Sequence, residues 1–365
     1  MKIGIPRETA AGETRVAATP DTVKKLLSLN AEVCVERGAG ESAHFLDADY
    51  QNVGAQLVDT AQALAADVVF KVRKPSSTEI DAISPAATLV GFMEPYETDG
   101  TLEALAKRGV NTLAVERIPR ISRSQSMDAL SSQANIAGYR AVLEASIHYG
   151  RFLPMMMTAA GSARPARLVV LGAGVAGLQA IATARRLGAE VEAFDVRPEV
   201  KEQIQSLGAK FIELDVGESG SGEGGYAKEL SDEGKQRQQE ALGNYLAKAN
   251  IIVTTALIPG RAAPVLVTED ALKGMSAGSV VVDMAAANGG NCPLTEVDQV
   301  VVRDGVILVG HSNYPALVPG DSSAFYAKNL LNLMSLLIDE TGLKPFAEDE
   351  ITQASLVTSD GKVIV

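Results

Sequence analysis

Near the middle of the chain, Leu168-Val169-Val170-Leu171 runs directly into Gly172-Ala173-Gly174-Val175-Ala176-Gly177, and a helical pattern follows. An apolar strand, three spaced glycines and a helix in that order constrain the fold more than any other feature. Gly172 permits a tight reversal, Gly174 leaves room for a ligand to approach the backbone, and Gly177 lets the helix lie against the strand. The free N–H groups and positive dipole end of the helix N-terminus suit a pyrophosphate. Asp195 ends the next apolar strand, 18 residues after Gly177. A carboxylate there can accept both hydroxyls of an adenosine ribose and repels a 2′-phosphate. The segment therefore predicts a Rossmann-type site for NAD(H) rather than NADP(H). Arg197 works slightly against that preference.

Around this turn the chain repeats a strand-then-helix rhythm. Lys2–Ile5, Glu32–Glu36, Asp67–Val72, Thr88–Met93 and Asn111–Glu116 read as strands, with Glu32–Glu36 alternating in polarity. Thr19-Pro20 opens a helix, Thr as N-cap and Pro at the first position, and its Val23, Leu26 and Leu27 share one face. Thr60–Ala66 and Thr101–Arg108 read as further helices. A polar stretch, Arg117–Asp128, interrupts the rhythm, and a long helix from about Ser131 to Phe152 crosses to a second series. There Arg167–Gly172, Glu190–Asp195, Lys210–Leu214, Asn250–Ala256, Ser279–Met284 and Val300–Val309 read as strands. Helices over Val175–Leu187 and Pro198–Leu207 and a charged helix to about Lys248 lie between them. A last helix, Asp321–Asp339, is expected to return to the first domain, and Ser359-Asp360-Gly361 marks a hairpin. The expected fold class is α/β, with two Rossmann-like doubly wound domains of parallel sheets joined by long helices. The domains read as residues 1–130 with about 315–365, and residues 131–314. Val216–Gly225 is glycine-rich and nearly devoid of apolar side chains, so a mobile loop of about 216–235 is expected.

With 365 residues, 46 % hydrophobic and 21 % charged, the chain has material for two ordinary cores. A net charge of −12 argues against free nucleic acid as a partner. Cys34 and Cys292 cannot make a disulfide framework, which fits a reducing compartment. The opening Met1-Lys2-Ile3-Gly4-Ile5-Pro6 breaks too early for a signal peptide. No run of about 18 apolar residues exists, so membrane association is expected only through a partner. His44, His148 and His311 lie in no metal-ligand spacing, and no metal is expected. Neither a nucleophile–base motif nor a phosphate-binding lysine motif is present.

Other segments carry a family resemblance. Met1–Pro20, ending Glu13-Thr14-Arg15-Val16-Ala17-Ala18-Thr19-Pro20, resembles the opening of the alanine dehydrogenase and nicotinamide nucleotide transhydrogenase superfamily. Within it, Pro119-Arg120-Ile121-Ser122-Arg123-Ser124-Gln125-Ser126-Met127-Asp128 and Ser131-Ser132-Gln133-Ala134-Asn135-Ile136-Ala137-Gly138-Tyr139 resemble the NAD(H)-binding component of proton-translocating transhydrogenases. So do Pro154–Gly161, Gly224-Gly225-Tyr226-Ala227-Lys228-Glu229 and Thr254-Thr255-Ala256-Leu257-Ile258-Pro259-Gly260. The resemblance implies that Arg120, Ile121, Ser122, Gln125, Ser126, Met127 and Asp128 form a loop at the nicotinamide end of the cofactor, with Ser131 near the carboxamide. It implies that Tyr226 tips a loop that folds over bound nucleotide, and that Val175, Asp195, Val196, Arg197, Gly225, Gln238 and Leu257 contact the nucleotide, beside Gly172, Gly174 and Gly177 of the glycine turn. Arg120, Gln125, Asp128, Ser131 and Tyr226 are the candidate catalytic residues. The side-chain chemistry is compatible: Arg120 and Asp128 can pair, leaving Gln125 to offer a donor and an acceptor to a carboxamide.

The activity so implied is hydride transfer between NADH and NADP+ held by a partner subunit, coupled to proton translocation through separate membrane-spanning subunits. A homodimer in the cytoplasm, peripheral on the inner face of the plasma membrane through those partners, is expected. Because the chain reaches Val365 without a membrane segment, a split-gene arrangement is expected too. Alanine dehydrogenase is the enzymatic alternative. In that family the substrate lysine lies in a Lys-Val-Lys segment and a histidine sits on the next strand. Here the segments read Lys71-Val72-Arg73 and Gly91-Phe92-Met93-Glu94, and an arginine stays protonated. A non-catalytic NAD-sensing module is the alternative outside enzymology. Alanine-dependent NADH formation would reveal the first, and inactivity with an NADP(H)-binding partner the second.

Overall fold

Short Val-, Ile- and Leu-rich runs form strands, and the helices between them bury narrow apolar stripes. The computed structural model describes residues 1–214, 231–258, 260–340 and 342–364. The chain divides into two units, Met1–Gln133 with Pro315–Val365, and Ala134–Tyr314. No helix among the described residues is long and apolar enough to cross a membrane.

The first unit holds an eight-stranded sheet. From edge to edge its strands are Lys362–Val363, Leu356–Ser359, Asn111–Ala114, Thr88–Gly91, Val68–Phe70, Lys2–Ile5, Glu32–Glu36 and Gln56–Val58. All neighbours are parallel except at the C-terminal hairpin, where Leu356–Ser359 runs antiparallel to both of its neighbours. That hairpin turns at Asp360 and Gly361, φ 51° and 73°, as the Asp-Gly pair predicts. Glu32–Glu36 does not keep its expected alternation: Val33, Cys34, Val35 and Glu36 are all buried. It lies between two parallel strands, and such strands are covered on both faces. The helix Pro20–Ser28 buries Val23 and Leu26. The final helix spans Pro319–Leu337 and packs Tyr326, Leu330, Leu333, Met334 and Leu337 into the same core. Each such apolar side chain stabilises by roughly 1.5–3 kcal/mol.

The second unit holds a seven-stranded sheet in the order Lys210–Phe211, Glu190–Phe194, Arg167–Leu171, Ile251–Thr254, Val280–Asp283, Val306–Val309, Val300–Arg303. Leu168 and Val170 face Ala180, Ile181 and Ala184 of the helix Val175–Arg186, whereas Val169 and Leu171 face Leu242, Leu246 and Leu272. The expected single strand Val300–Val309 is instead a hairpin, Val300–Arg303 antiparallel to Val306–Val309. Asp304 and Gly305 have φ 50° and 79°, the positive values that a two-residue hairpin turn requires at both positions. The expected helix Pro198–Leu207 begins as a 3₁₀ turn, Pro198–Val200, before Lys201–Ser206. Residues 216–230 of the expected mobile loop lie outside the described residues. Its last stretch is not loop: Ser231 caps the helix Asp232–Leu246 by accepting the Gly234 N–H at 3.1 Å. The long helix expected over Ser131–Phe152 spans Ala129–His148, and the residue boundary between the units falls inside it.

Candidate dinucleotide-binding site

In the second sheet the strand order reverses beside Arg167–Leu171: its sequence successor Glu190–Phe194 lies on one side and Ile251–Thr254 on the other. Ligands of doubly wound sheets bind in the crevice at the carboxyl ends of the strands at such a reversal. Gly172–Gly177 and Thr255–Leu257 follow those two strand ends.

The three glycines differ in what they accommodate. Gly172 has φ 99°, and a Cβ on it would meet Thr255 Oγ1 at 2.6 Å. A Cβ on Gly177 would meet the Gly172 carbonyl oxygen at 1.9 Å, so this residue lets the helix start pack against its own turn. A Cβ on Gly174 would have nothing within 4 Å. Gly172 and Gly177 are thus required by the fold, whereas Gly174 borders open space at the helix N-terminus and leaves it clear for a phosphate. Val175 and Leu257 are apolar yet exposed at this edge, 40 % and 42 %. Val196 is half-buried, and Gln238 is buried on the helix Asp232–Leu246.

Asp195 is buried and tied to the glycine turn. Its Oδ2 accepts the Ala173 N–H at 2.7 Å and Arg197 Nη2 at 2.8 Å, and its Oδ1 accepts the N–H and Nε of Arg197, both at 2.9 Å. Sequence reasoning gives Asp195 to a ribose; in the fold it is bonded first to Arg197. That pairing raises the Arg197 pKa further above its ordinary value, the hydrogen bonds to Asp195 outweighing burial.

Sequence reading misses the support of the Thr255–Leu257 loop. Fully buried Asp283 accepts Thr254 Oγ1 at 3.0 Å and the N–H groups of Ala285, Asn291 and Cys292 at 3.0, 3.2 and 3.0 Å. Asn291 in turn donates to the carbonyls of Ala256 and Pro264 at 2.9 and 2.8 Å and accepts the Ala256 N–H at 3.2 Å. Gly138 stands in the sequence only within a longer family segment, yet a Cβ there would lie 2.0 Å from the Ala176 carbonyl oxygen.

The residues assigned to the nicotinamide end belong to the first unit. Arg120, Ser122, Gln125 and Ser126 are exposed, Ile121 and Asp128 half-buried, and Met127 buried, in a segment built on the 3₁₀ turn Ser122–Met127. Asn329 and Asn332 of the final helix both donate to the Ser126 carbonyl at 2.9 Å and pin the segment. The sequence suggests Arg120 as a partner for Asp128; in the fold both oxygens of Asp128 serve Ser131. Oδ1 accepts the Ser131 N–H at 2.8 Å and Oδ2 the Ser131 hydroxyl at 2.6 Å, so Asp128 caps the long helix and orients Ser131. Gly225 and Tyr226 lie outside the described residues.

At the carboxyl edge of the first sheet, Arg73 Nη2 pairs with Glu94 Oε1 at 3.3 Å, and Lys74 Nζ with Glu94 Oε2 at 2.8 Å. Lys71 is buried against Glu79 at 2.7 Å and Glu8 at 3.3 Å. Its two carboxylate neighbours raise its pKa despite burial, which acts to lower it. Arg73 and Glu94, the two positions that the family resemblance sets against a lysine and a histidine of alanine dehydrogenases, are joined in one ion pair.

Two doubly wound units, one with a glycine turn and a terminal acidic residue at its point of strand reversal, define a two-domain α/β nucleotide-binding protein. The chain belongs to the alanine dehydrogenase/PNT family: the model of the N-terminal domain matches residues 4–137 and that of the C-terminal domain residues 141–365. Within the family it is similar to an NAD(P) transhydrogenase subunit alpha chain of Rhodospirillum rubrum, 48 % identical with 100 % of this chain and 98 % of the relative covered. A transhydrogenase structure from Sinorhizobium meliloti superposes with a TM-score of 0.88 at 43 % identity, covering 100 % and 99 % of the two chains. The alanine dehydrogenase of Halomonas elongata is more distant, 30 % identical over 100 % of this chain and 94 % of that protein.

Proposed function

We propose that this chain is the NAD(H)-binding subunit of a proton-translocating transhydrogenase. In this reading it passes a hydride between NADH and NADP+ on a partner subunit, and separate membrane-spanning chains couple that transfer to proton movement. The observation that carries the reading is the Arg73–Glu94 ion pair. Amino-acid dehydrogenation needs a protein group to move protons, and here the two positions concerned are occupied by an arginine and its counter-ion. Hydride exchange between two nicotinamides asks instead for alignment and exclusion of water.

NAD(H), when bound, supplies the hydride. The N–H groups that open the helix Val175–Arg186 hold the pyrophosphate, with Gly174 giving it room, and Asp195 takes the adenosine ribose. Val175, Val196, Arg197, Gln238 and Leu257 border the nucleotide. Arg120, Ile121, Ser122, Gln125, Ser126 and Met127 form the segment at the nicotinamide end, and Asp128 fixes Ser131 beside the carboxamide. The roles of Gly225 and Tyr226 rest on family resemblance alone. The domain limits, residues 1–130 with about 315–365 and residues 131–314, divide the work between nicotinamide contacts and nucleotide binding. Homodimerisation is supported by the exposed hairpin Met156–Thr158 and Gly161–Ala163, with Met155 and Met157 at 61 % and 77 % exposure. A location on the inner membrane face follows from the proposed partners.

The test combines the chain with an NADP(H)-binding partner and follows single-turnover hydride transfer by stopped flow. Transfer is expected with the partner, together with no alanine-dependent NADH formation by the chain alone; the reverse pattern refutes the reading. Gln125→Asn shortens the side chain and keeps the amide. The transfer step is expected to slow about 100-fold at near-normal NADH affinity, since a displacement near 1 Å can cost that much.

A further inference from the structure

The Asp195 carboxylate has its acceptor capacity filled within the chain. A carboxylate offers about four acceptor positions, and four donors occupy them: the backbone N–H groups of Ala173 and Arg197, and Nε and Nη2 of the Arg197 guanidinium. The two backbone donors are set by the ends of the strand and of the glycine turn and cannot leave without unravelling them. The two guanidinium donors sit on a side chain, whose torsions can turn without moving the backbone. A ribose diol that is to bond Asp195 through both hydroxyls needs two positions, and only those held by the guanidinium can be vacated. Both residues are 8 % exposed, so the pair is little weakened by water, and a charged planar fork on a carboxylate is a stronger donor than two neutral hydroxyls.

We propose that the Arg197 guanidinium and the adenosine ribose of NAD(H) are mutually exclusive occupants of Asp195, which makes Arg197 an internal competitor that lowers nucleotide affinity. The proposal rests on reading Asp195 as the ribose acceptor. The competition acts on the adenosine half of the cofactor alone. It makes bound nucleotide easier to release, which suits a protein that must exchange NADH for NAD+ at every turnover. Arg197 is thus an affinity-setting residue even though its charge, taken by itself, would attract a nucleotide.

The experiment titrates the full chain and its variants with NADH, AMP and nicotinamide mononucleotide by calorimetry, with thermal melting of each variant as a control for folding. Arg197→Met is expected to bind NADH and AMP about tenfold tighter, the order of exchanging one charge-assisted contact for a neutral one, with nicotinamide mononucleotide unchanged. Arg197→Lys keeps the charge but lacks the fork; a smaller gain in the same direction is expected. That variant carries the test if Arg197→Met melts below the titration temperature. Asp195→Asn is expected to weaken both NADH and AMP. If Asp195→Asn weakens AMP while neither Arg197 variant tightens it, the competition is refuted and the ribose reading stands. If Asp195→Asn leaves AMP affinity unchanged, the ribose reading fails and the competitor role falls with it.

Discussion

Glu116 lies just beyond the Asn111–Ala114 strand with its carboxylate turned inward. Oε1 accepts the N–H groups of Met93 and Glu94 at 2.8 and 2.6 Å, while Oε2 is buried without a hydrogen-bond partner. Glu94 holds φ 51°, a left-handed conformation that the contact helps to maintain. Burial raises the Glu116 pKa; the backbone donors oppose the rise, and the Glu94 charge adds to it. A carboxyl whose folded-state pKa lies above its unfolded value stabilises below the unfolded pKa and loses that contribution as pH rises through the folded pKa. Glu116→Gln keeps the acceptor for both N–H groups and removes the titration. The variant is expected to melt progressively higher than the parent as pH is raised from about 5 to about 8. A melting difference that is constant over this range, measured by calorimetry, contradicts the assignment.

Among the elements, the loop after Ile251–Thr254 shows how a binding surface is built from a distance in sequence. Asn291 makes three hydrogen bonds to Ala256 and Pro264, and Asp283 holds Asn291 through its N–H. Leu257 is exposed at the rim because the residue before it is anchored on both its N–H and its carbonyl. Asn291→Ala leaves these half-buried backbone groups without that partner, at a cost of roughly 1–3 kcal/mol. NADH affinity is expected to fall together with the melting temperature, and an unchanged affinity would separate the loop from the nucleotide. The same scale explains why Val300–Val309 breaks into two strands. Asp304-Gly305 is a hairpin turn signal of the same kind as Asp360-Gly361, and in sequence it is hidden by the valines on either side.

For the whole molecule, the exposed methionine hairpin bears on assembly. The proposed homodimer would bury this exposed hairpin, and a charge at Met157, in the middle of the strand Met156–Thr158, opposes burial against a second copy. Met157→Asp is expected to shift the chain toward monomer in sedimentation velocity while NADH binding persists, since the glycine turn and Asp195 are separate elements of the unit. A dimer of unchanged stability would place the interface elsewhere.

Much of this was legible in the chain. The rhythm of apolar runs marked the strands Lys2–Ile5 and Glu32–Glu36 and the helix Thr101–Arg108 to the residue, because burial requires apolar side chains at the period of the backbone. The packing roles of Gly172 and Gly177 were legible because a strand turning this tightly into a helix tolerates few alternatives to glycine. What the sequence could not supply were choices among partners. Asp128 could bond Arg120 or Ser131, and the helix start brought Ser131 within 2.6 Å. Asp195 could await a ribose or bond Arg197, and only the closing of the strand end onto Ala173 and Arg197 filled its acceptors. Composition and periodicity decide which residues are buried and in which element. Which donor meets which acceptor depends on the directions in which those elements bring them together, and that is a property of the folded chain alone.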